Sequence, residues 1–376
     1  MILTDPDAAQ ARAELAQIVD ALIQKVAPRP EAVNRAEAMA AGVIDMKLWA
    51  RLTKDLGATA MTVREEIGGA GAGLADMGVF WEAVGRNLAS VPLLGAWLGV
   101  EAVLRAGYDD QPHLGALVAG ERIAVLALPR RDSTTGTTGR PGLLEARQVG
   151  GVCRTSGVLE LVVDAPHAVD LVLPVRIDGA VRWGIVSCSD AHVEQQPALD
   201  LTRAIGRVQL EDVEIRLLPV AEAEADELRG ELLDLGRLAV ACEQLGVAEQ
   251  ALADAVAYAK EREQFGRPIG SFQAIKHLLA DMATDADYAR SLVEHAVWAA
   301  TEGVADRSSA IAMALAQASR SAISITAENV QIHGGIGFSW EHTAHLYFRK
   351  ARGNEVLFAE PSDLVESALA GTAASR

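Results

Sequence analysis

The spacing of apolar residues divides the chain into a helical stretch, a strand-rich stretch and a second helical stretch. In the first, a helix is predicted from a cap at Asp7 or Asp5 to about Lys25, with Pro28 and Pro30 closing it. Helical spacing returns near Met46–Leu56 and in Leu74–Asn87, where Leu74, Met77, Phe80 and Val84 share one face. The nearly continuous apolar run Val91–Gly107 predicts a buried helix. After about Gly120 the pattern changes to short valine-rich runs bounded by turn residues. These are Ile123–Leu128, Val158–Val163, Leu171–Val175, Val181–Val186 and Val208–Val213, and they predict a mostly β region. The segment Arg131–Gly142 is poor in apolar residues and reads as a mobile loop. From Ala223 onward helical spacing resumes. Leu235, Leu238, Cys242, Leu245, Leu252, Val256 and Ala259 form a heptad-like seam interrupted at Glu249. Two further long helices are predicted over Phe272–Glu302 and Ser308–Gln331, which together imply an antiparallel bundle.

Composition narrows the classes. Half of the 376 residues (50%) are hydrophobic, enough for more than one core. A formal net charge of −17 disfavours a general nucleic-acid surface, which needs Lys and Arg against phosphates. It equally disfavours docking on an anionic membrane. A phosphate-bearing ligand would have to be held by local arginines and backbone N–H groups. Cys153, Cys188 and Cys242 show no CxxC spacing, so neither a disulfide framework nor a metal site is expected. With no signal-like N-terminus and no apolar run of spanning length, a cytoplasmic protein with reduced thiols is expected.

Two glycine-rich punctuations carry the candidate chemistry. Arg262-Glu263-Gln264-Phe265-Gly266-Arg267-Pro268-Ile269-Gly270 ends a long helix. The Arg262 guanidinium suits a pyrophosphate, and Phe265 offers an apolar wall to a bound ring. The same residues also make an ordinary helix-ending turn with a surface arginine. Gln331-Ile332-His333-Gly334-Gly335-Ile336-Gly337 follows a helix, and its glycines let a backbone approach a bulky ligand. They equally make a plain left-handed helix stop. His333 reads as a packed or hydrogen-bonded residue, not a base.

Three segments, Arg64–Leu94, Arg262–Met282 and Gln331–Arg352, resemble the acyl-CoA dehydrogenase family in order and spacing. The likeness is to the actinobacterial type and its heteromeric enzymes. It implies an α+β fold with an N-terminal helical domain (1–120), a middle β-barrel or sandwich domain (121–222) and a C-terminal four-helix bundle (223–376). It implies a homotetramer, or a heterotetramer with a homologous catalytic subunit, in which FAD lies between the β domain and the bundle and a neighbouring subunit completes the pocket. The implied reaction is α,β-dehydrogenation of an acyl-CoA thioester. A carboxylate takes the α proton, hydride leaves for flavin N5, and electrons pass to an electron-transferring flavoprotein. By the same resemblance Arg262, Phe265, Gln331, Gly334 and Gly335 are cofactor-binding positions.

The family's base is where the sequence departs. One branch carries a glutamate in a DLER-like segment early in the first bundle helix. Here that segment is Asp234-Leu235-Gly236-Arg237. Asp234 and Arg237 match and are carried as substrate-binding positions, but Gly236 holds the glutamate's place. The other branch carries its base in a Tyr-Glu-Gly beyond the glycine turn, and the same count here reaches Leu357-Phe358-Ala359, with Glu355 and Glu360 out of register. Glu243 remains as the candidate base. It projects from nearly the face of Gly236, two turns or ~10.5 Å further along. Glu249 falls on the apolar seam and needs a partner if buried. Both glutamates also read as polar spots at a helix–helix contact. No counterpart of the family's TEPxAGSD and KxxITN segments is visible in Ala127–Arg140 and beyond. Three functions follow: a dehydrogenase with an unusual base, a partner subunit that completes the FAD site of another chain, or an oxidase or monooxygenase of this fold. Small residues at Gly236, Ala239, Val240 and Val247 suggest room for a bulky acyl group such as a steroid side chain.

Overall fold

The computed structural model describes residues 6–128 and 142–358, together with Leu364 and Ala368. Its first part is helical: α1 (Pro6–Val26), α2 (Ala32–Ala40), α3 (Met46–Leu56), α4 (Leu74–Arg86), α5 (Leu93–Arg105) and α6 (Gln111–Val118). The Asp45 carboxylate caps α3 by accepting from the Leu48 N–H at 2.9 Å. On α4 the expected face is inward, with Met77, Phe80 and Val84 buried and Leu74 half-buried. The apolar run after Val91 forms α5, buried on nearly every side. Asp5 and the segment 129–141, most of the expected loop, lie outside the described residues.

Strands β1 (Ala124–Leu126), β2 (Leu144–Val149), β3 (Val152–Val163), β4 (Asp170–Ile177), β5 (Ala180–Ser187), β6 (His192–Gln196) and β7 (Ile205–Leu217) make one seven-stranded sheet. β4 pairs with β2, β2 with β3, β3 with β7, β7 with β5 and β5 again with β4, so the sheet closes into a barrel. Closure removes the free edges that an open sheet would offer. β1 extends the β4 edge, and β6 covers the remaining edge of β7. β2 and β6 are absent from the hydrophobic pattern because they are exposed, largely polar strands, Leu-Glu-Ala-Arg-Gln-Val and His-Val-Glu-Gln-Gln.

Beyond the barrel run α7 (Glu222–Glu261), a short hairpin of β8 (Glu263–Gln264) and β9 (Arg267–Pro268), α8 (Gln273–Glu302), α9 (Arg307–His333) and α10 (Ala344–Glu355). Every residue of α7 from Leu235 to Ala248 is buried, not the seam alone. A helix enclosed on all sides shows no amphipathic stripe. Here α8, α9 and α10 enclose it together with α4 and α5.

The α4–α7 crossing is close enough to exclude side chains. A β-carbon on Gly85 would lie 2.1 Å from the Glu243 carbonyl oxygen, and one on Gly246 2.0 Å from that of Glu82. Gly85→Ala is therefore expected to cost about 1–3 kcal/mol by overpacking, despite alanine's better helix propensity. Gly230→Ala, where nothing lies within 4 Å of the added carbon, should gain up to about 1 kcal/mol. Denaturant midpoints at unchanged slope test both.

Candidate functional site

The C-terminal ends of α7 and α9 come together at one end of the bundle. Tyr258 lies one turn before Arg262, whose N–H donates to the Tyr258 carbonyl at 2.8 Å. The Tyr258 ring stacks on His333 at 4.3 Å between centroids, and His333 also meets His342 at 4.3 Å. His333 Nδ1 is 2.8 Å from the Asn329 carbonyl, so the ring is packed and hydrogen-bonded. Burial, and then the neighbouring His333, pulls His342 below the usual imidazole range. The helix ends that carry the two motifs, some seventy residues apart in sequence, thus meet at one end of the bundle.

That end is unusually bare. In the hairpin, Gln264 faces Arg267, and the two loop residues Phe265 and Gly266 have φ of +54° and +77°. Positive φ at both positions makes the tight hairpin turn that follows the strands' twist. The turn pushes the Phe265 ring outward, 92% exposed. The Arg262 guanidinium is exposed and has no salt bridge or side-chain hydrogen bond among the described residues. Gln331, Gly334 and Gly335 are exposed as well, and β-carbons built on either glycine would meet nothing within 4 Å. Ile336, Phe338 and Trp340 extend the apolar surface. An unpaired cation, a bare aromatic ring and an open glycine turn fit a ligand bearing phosphates and a flat ring system.

The second region lies near the start of α7. Arg237 Nη1 is 3.3 Å from Asp234 Oδ1, and the hydroxyl of Ser308 donates to Asp234 Oδ2. Arg237 also donates through Nε to the Phe358 carbonyl at 3.4 Å, which ties the segment after α10 to α7. Phe358 sits on Gly236: a β-carbon there would be 3.1 Å from three of its ring atoms. The two positions expected for a base are therefore in contact, and neither holds a carboxylate. The room expected at Gly236 is filled by this ring. Glu360 lies outside the described residues, and Glu355 pairs with Arg352 at 2.7 Å.

Glu243 is 1% exposed and closed in by charge. Arg203 Nη2 donates to Glu243 Oε2 at 2.5 Å, Asn354 Nδ2 donates to the same oxygen at 3.0 Å, and Lys350 Nζ lies 2.7 Å from Oε1. Lys350 also reaches Thr202 Oγ1 at 3.0 Å and Asp200 Oδ2 at 3.4 Å. Burial pushes the Asp200 carboxyl up, but Lys350, Arg203 and hydrogen bonds from Thr202 outweigh it and hold it below the usual range. Asp164, at the end of β3, joins the cluster electrostatically and accepts from the Gly95 N–H at 2.9 Å. Burial raises its carboxyl to about 6. Glu249 has the partners its position required, Arg290 and, at 3.4 Å, Arg86. The sequence pattern gave no sign of Arg203, Lys350 or Asn354, because their role arises only where the barrel meets the bundle.

The family's sequence models match this chain over residues 8–121 (acyl-CoA dehydrogenase, N-terminal domain) and 228–358 (acyl-CoA dehydrogenase, C-terminal domain). Acyl-CoA dehydrogenase IpdE2 of Mycobacterium tuberculosis is 34% identical over 94% of this chain and 95% of its own. This chain belongs to the acyl-CoA dehydrogenase family. A structure of the ChsE4-ChsE5 complex from Mycobacterium tuberculosis is similar at a TM-score of 0.86, with 27% identity over 99% of both chains. A Tcur3481-Tcur3483 steroid acyl-CoA dehydrogenase variant is similar at 0.85, with 27% identity over 98% of this chain and 99% of that one. Acyl-CoA dehydrogenases are FAD enzymes that oxidise the CH–CH bond of an acyl-CoA. Arg262, Phe265, Gln331, Gly334 and Gly335 are each exposed, and their chemistry fits such a cofactor. No helix among the described residues is long and apolar enough to cross a membrane.

Two stability predictions follow from the cluster. Glu243→Gln should cost about 3–5 kcal/mol, because Arg203 and Lys350 lose their shared counter-charge in a buried site; chemical denaturation measures it. Asp164 has a raised folded-state pKa, so its contribution to stability is present below the ordinary carboxylate pKa and lost as pH rises through about 6. Asp164→Asn is therefore expected to be more stable than the wild type at neutral pH. The gain should vanish toward about pH 4, as thermal unfolding across that window would register.

Proposed function

We infer that this chain is a subunit of a heteromeric FAD-dependent acyl-CoA dehydrogenase, in which it completes the cofactor pocket of a homologous subunit that carries the base. The observation that carries this is the Phe358 ring packed on Gly236, at the meeting point of both base positions. A general base must reach the proton it removes and keep a lone pair for it. Phe358 and Gly236 have none. Glu243 is buried, its Oε2 accepts from Arg203 and Asn354 and its Oε1 lies against the Lys350 ammonium, which favours a structural role over the base role its sequence position suggested. The intact surface at the other end of the bundle supports the lending half of the arrangement, as does the likeness to a structure of the two-component ChsE4-ChsE5 complex.

FAD, when bound, supplies the oxidant for α,β-dehydrogenation. Arg262 would pair with its diphosphate, Phe265 would wall one side of it, and the Gln331 amide and the Gly334–Gly335 backbone would approach where side chains are missing. Asp234 and Arg237 hold each other and the segment after α10, so they fix the start of α7 where the family's acyl site is expected. The likeness to a steroid acyl-CoA dehydrogenase supports a thioester of a bulky, ring-bearing acid as substrate of the assembled enzyme. Transfer of electrons to an electron-transferring flavoprotein and a tetrameric assembly follow from the family resemblance. Unpaired Cys153, Cys188 and Cys242 suit the reducing cytoplasm.

Purification decides between the readings. Expressed alone, the chain is expected to be colourless; co-expressed with a homologous, base-bearing chain it should form a yellow complex. In that complex Arg262→Gln should weaken FAD retention about tenfold or more, the equivalent of one charge-assisted hydrogen bond. A yellow homotetramer of this chain alone that bleaches with an acyl-CoA would overturn the proposal in favour of an active dehydrogenase with an unusual base.

A further inference from the structure

The contact between Phe358 and Gly236 does more than mark a missing carboxylate. The ring stands over a glycine on the most deeply buried stretch of α7, and three of its atoms would lie 3.1 Å from any β-carbon at that position. Its backbone is left-handed, with φ of +58°, a conformation a bulky side chain seldom adopts without being held. It is held from two sides. Arg237 donates to its carbonyl, and the preceding Leu357 is buried in the main core with its N–H donating to the Asn354 carbonyl at 3.1 Å. Arg237 is fixed in turn by Asp234. A side chain that merely replaced a lost glutamate would need none of this. The backbone is bent against its preference so that an apolar ring lies on α7.

We propose that Phe358 is a plug that closes the acyl end of this chain's own substrate cleft, so that the chain excludes the acyl group of a CoA thioester. Gly236 is its seat, and Arg237 is a positioning residue that holds the plug down through the Phe358 carbonyl. The excluded ligand class is the saturated acyl chain next to the thioester, because both base positions mark where its α-carbon would be. The proposal rests on the partner-subunit reading only in taking this cleft to be the family's acyl site.

Isothermal titration with octanoyl-CoA and with free CoA tests it, on the full chain in whichever assembly it is purified. Phe358→Gly is the informative variant: it removes the ring and places the residue that favours positive φ where φ is positive, so the fold is kept. Phe358→Gly is expected to bind one more octanoyl-CoA per copy of this chain than the wild type does, while free CoA binding does not change. Arg237→Gln, which keeps the ring but loosens its hold, should give the same extra site at lower affinity. The plug is refuted if Phe358→Gly binds no additional octanoyl-CoA, or if the wild-type chain by itself prefers octanoyl-CoA to free CoA tenfold or more. Flavin content per chain is a separate readout. A wild-type chain that is yellow by itself removes the partner-subunit reading, whereas the increment in octanoyl-CoA reports on the plug.

Discussion

The ionic knot around Glu243 determines how the barrel and the bundle are joined. Arg203 comes from the segment entering β7, Glu243 from α7, and Lys350 and Asn354 from α10, so three distant stretches of chain must arrive together for any of them to be satisfied. Taking these charges out of water is expensive, and their mutual attraction returns the cost only when the geometry is complete. A partly formed knot is worse than none. Such a cluster adds little net stability but strongly penalises any other docking of barrel against helices. The glycines at the α4–α7 crossing act alongside it, since they let the N-terminal helices settle on the same stretch of α7.

With α7 locked in this way, its two ends are set for different tasks. The end near Gly236 is closed by an aromatic ring and an arginine. The far end, at Arg262, is left open, with a free guanidinium and an exposed phenylalanine beside a glycine turn. One rigid helix therefore joins a filled end to an open one. In the proposed partner-subunit role, that polarity suits a chain that contributes to a site without owning one.

Much of this was readable in the amino-acid order. The long helices followed from their periodicity, and the strand-rich middle followed from short valine-rich runs, which in β1 and β4 are buried almost throughout. The strands β2 and β6 were silent because solvent-facing edges carry no apolar signal, and α7 misled in the opposite way because it has no solvent face between Leu235 and Ala248. The turns that end α7 and α9 at Arg262 and Gly334 were legible because glycine-marked helix stops are local features. The meaning of Glu243 was not. A glutamate on a buried helix reads alike whether it waits for a substrate or neutralises a lysine more than a hundred residues away, and only the three-dimensional arrangement brings Lys350 to it.

The hairpin tip at Phe265 has a consequence for how the protein is made. A ring that is 92% exposed at the end of a tight turn, with Phe338 and Trp340 exposed on the turn after α9, leaves apolar surface that a partner would cover. A copy released from the ribosome without a companion would associate with whatever apolar surface it met first. In the proposed heteromeric enzyme, balanced synthesis of the two chains would keep that surface covered from the start.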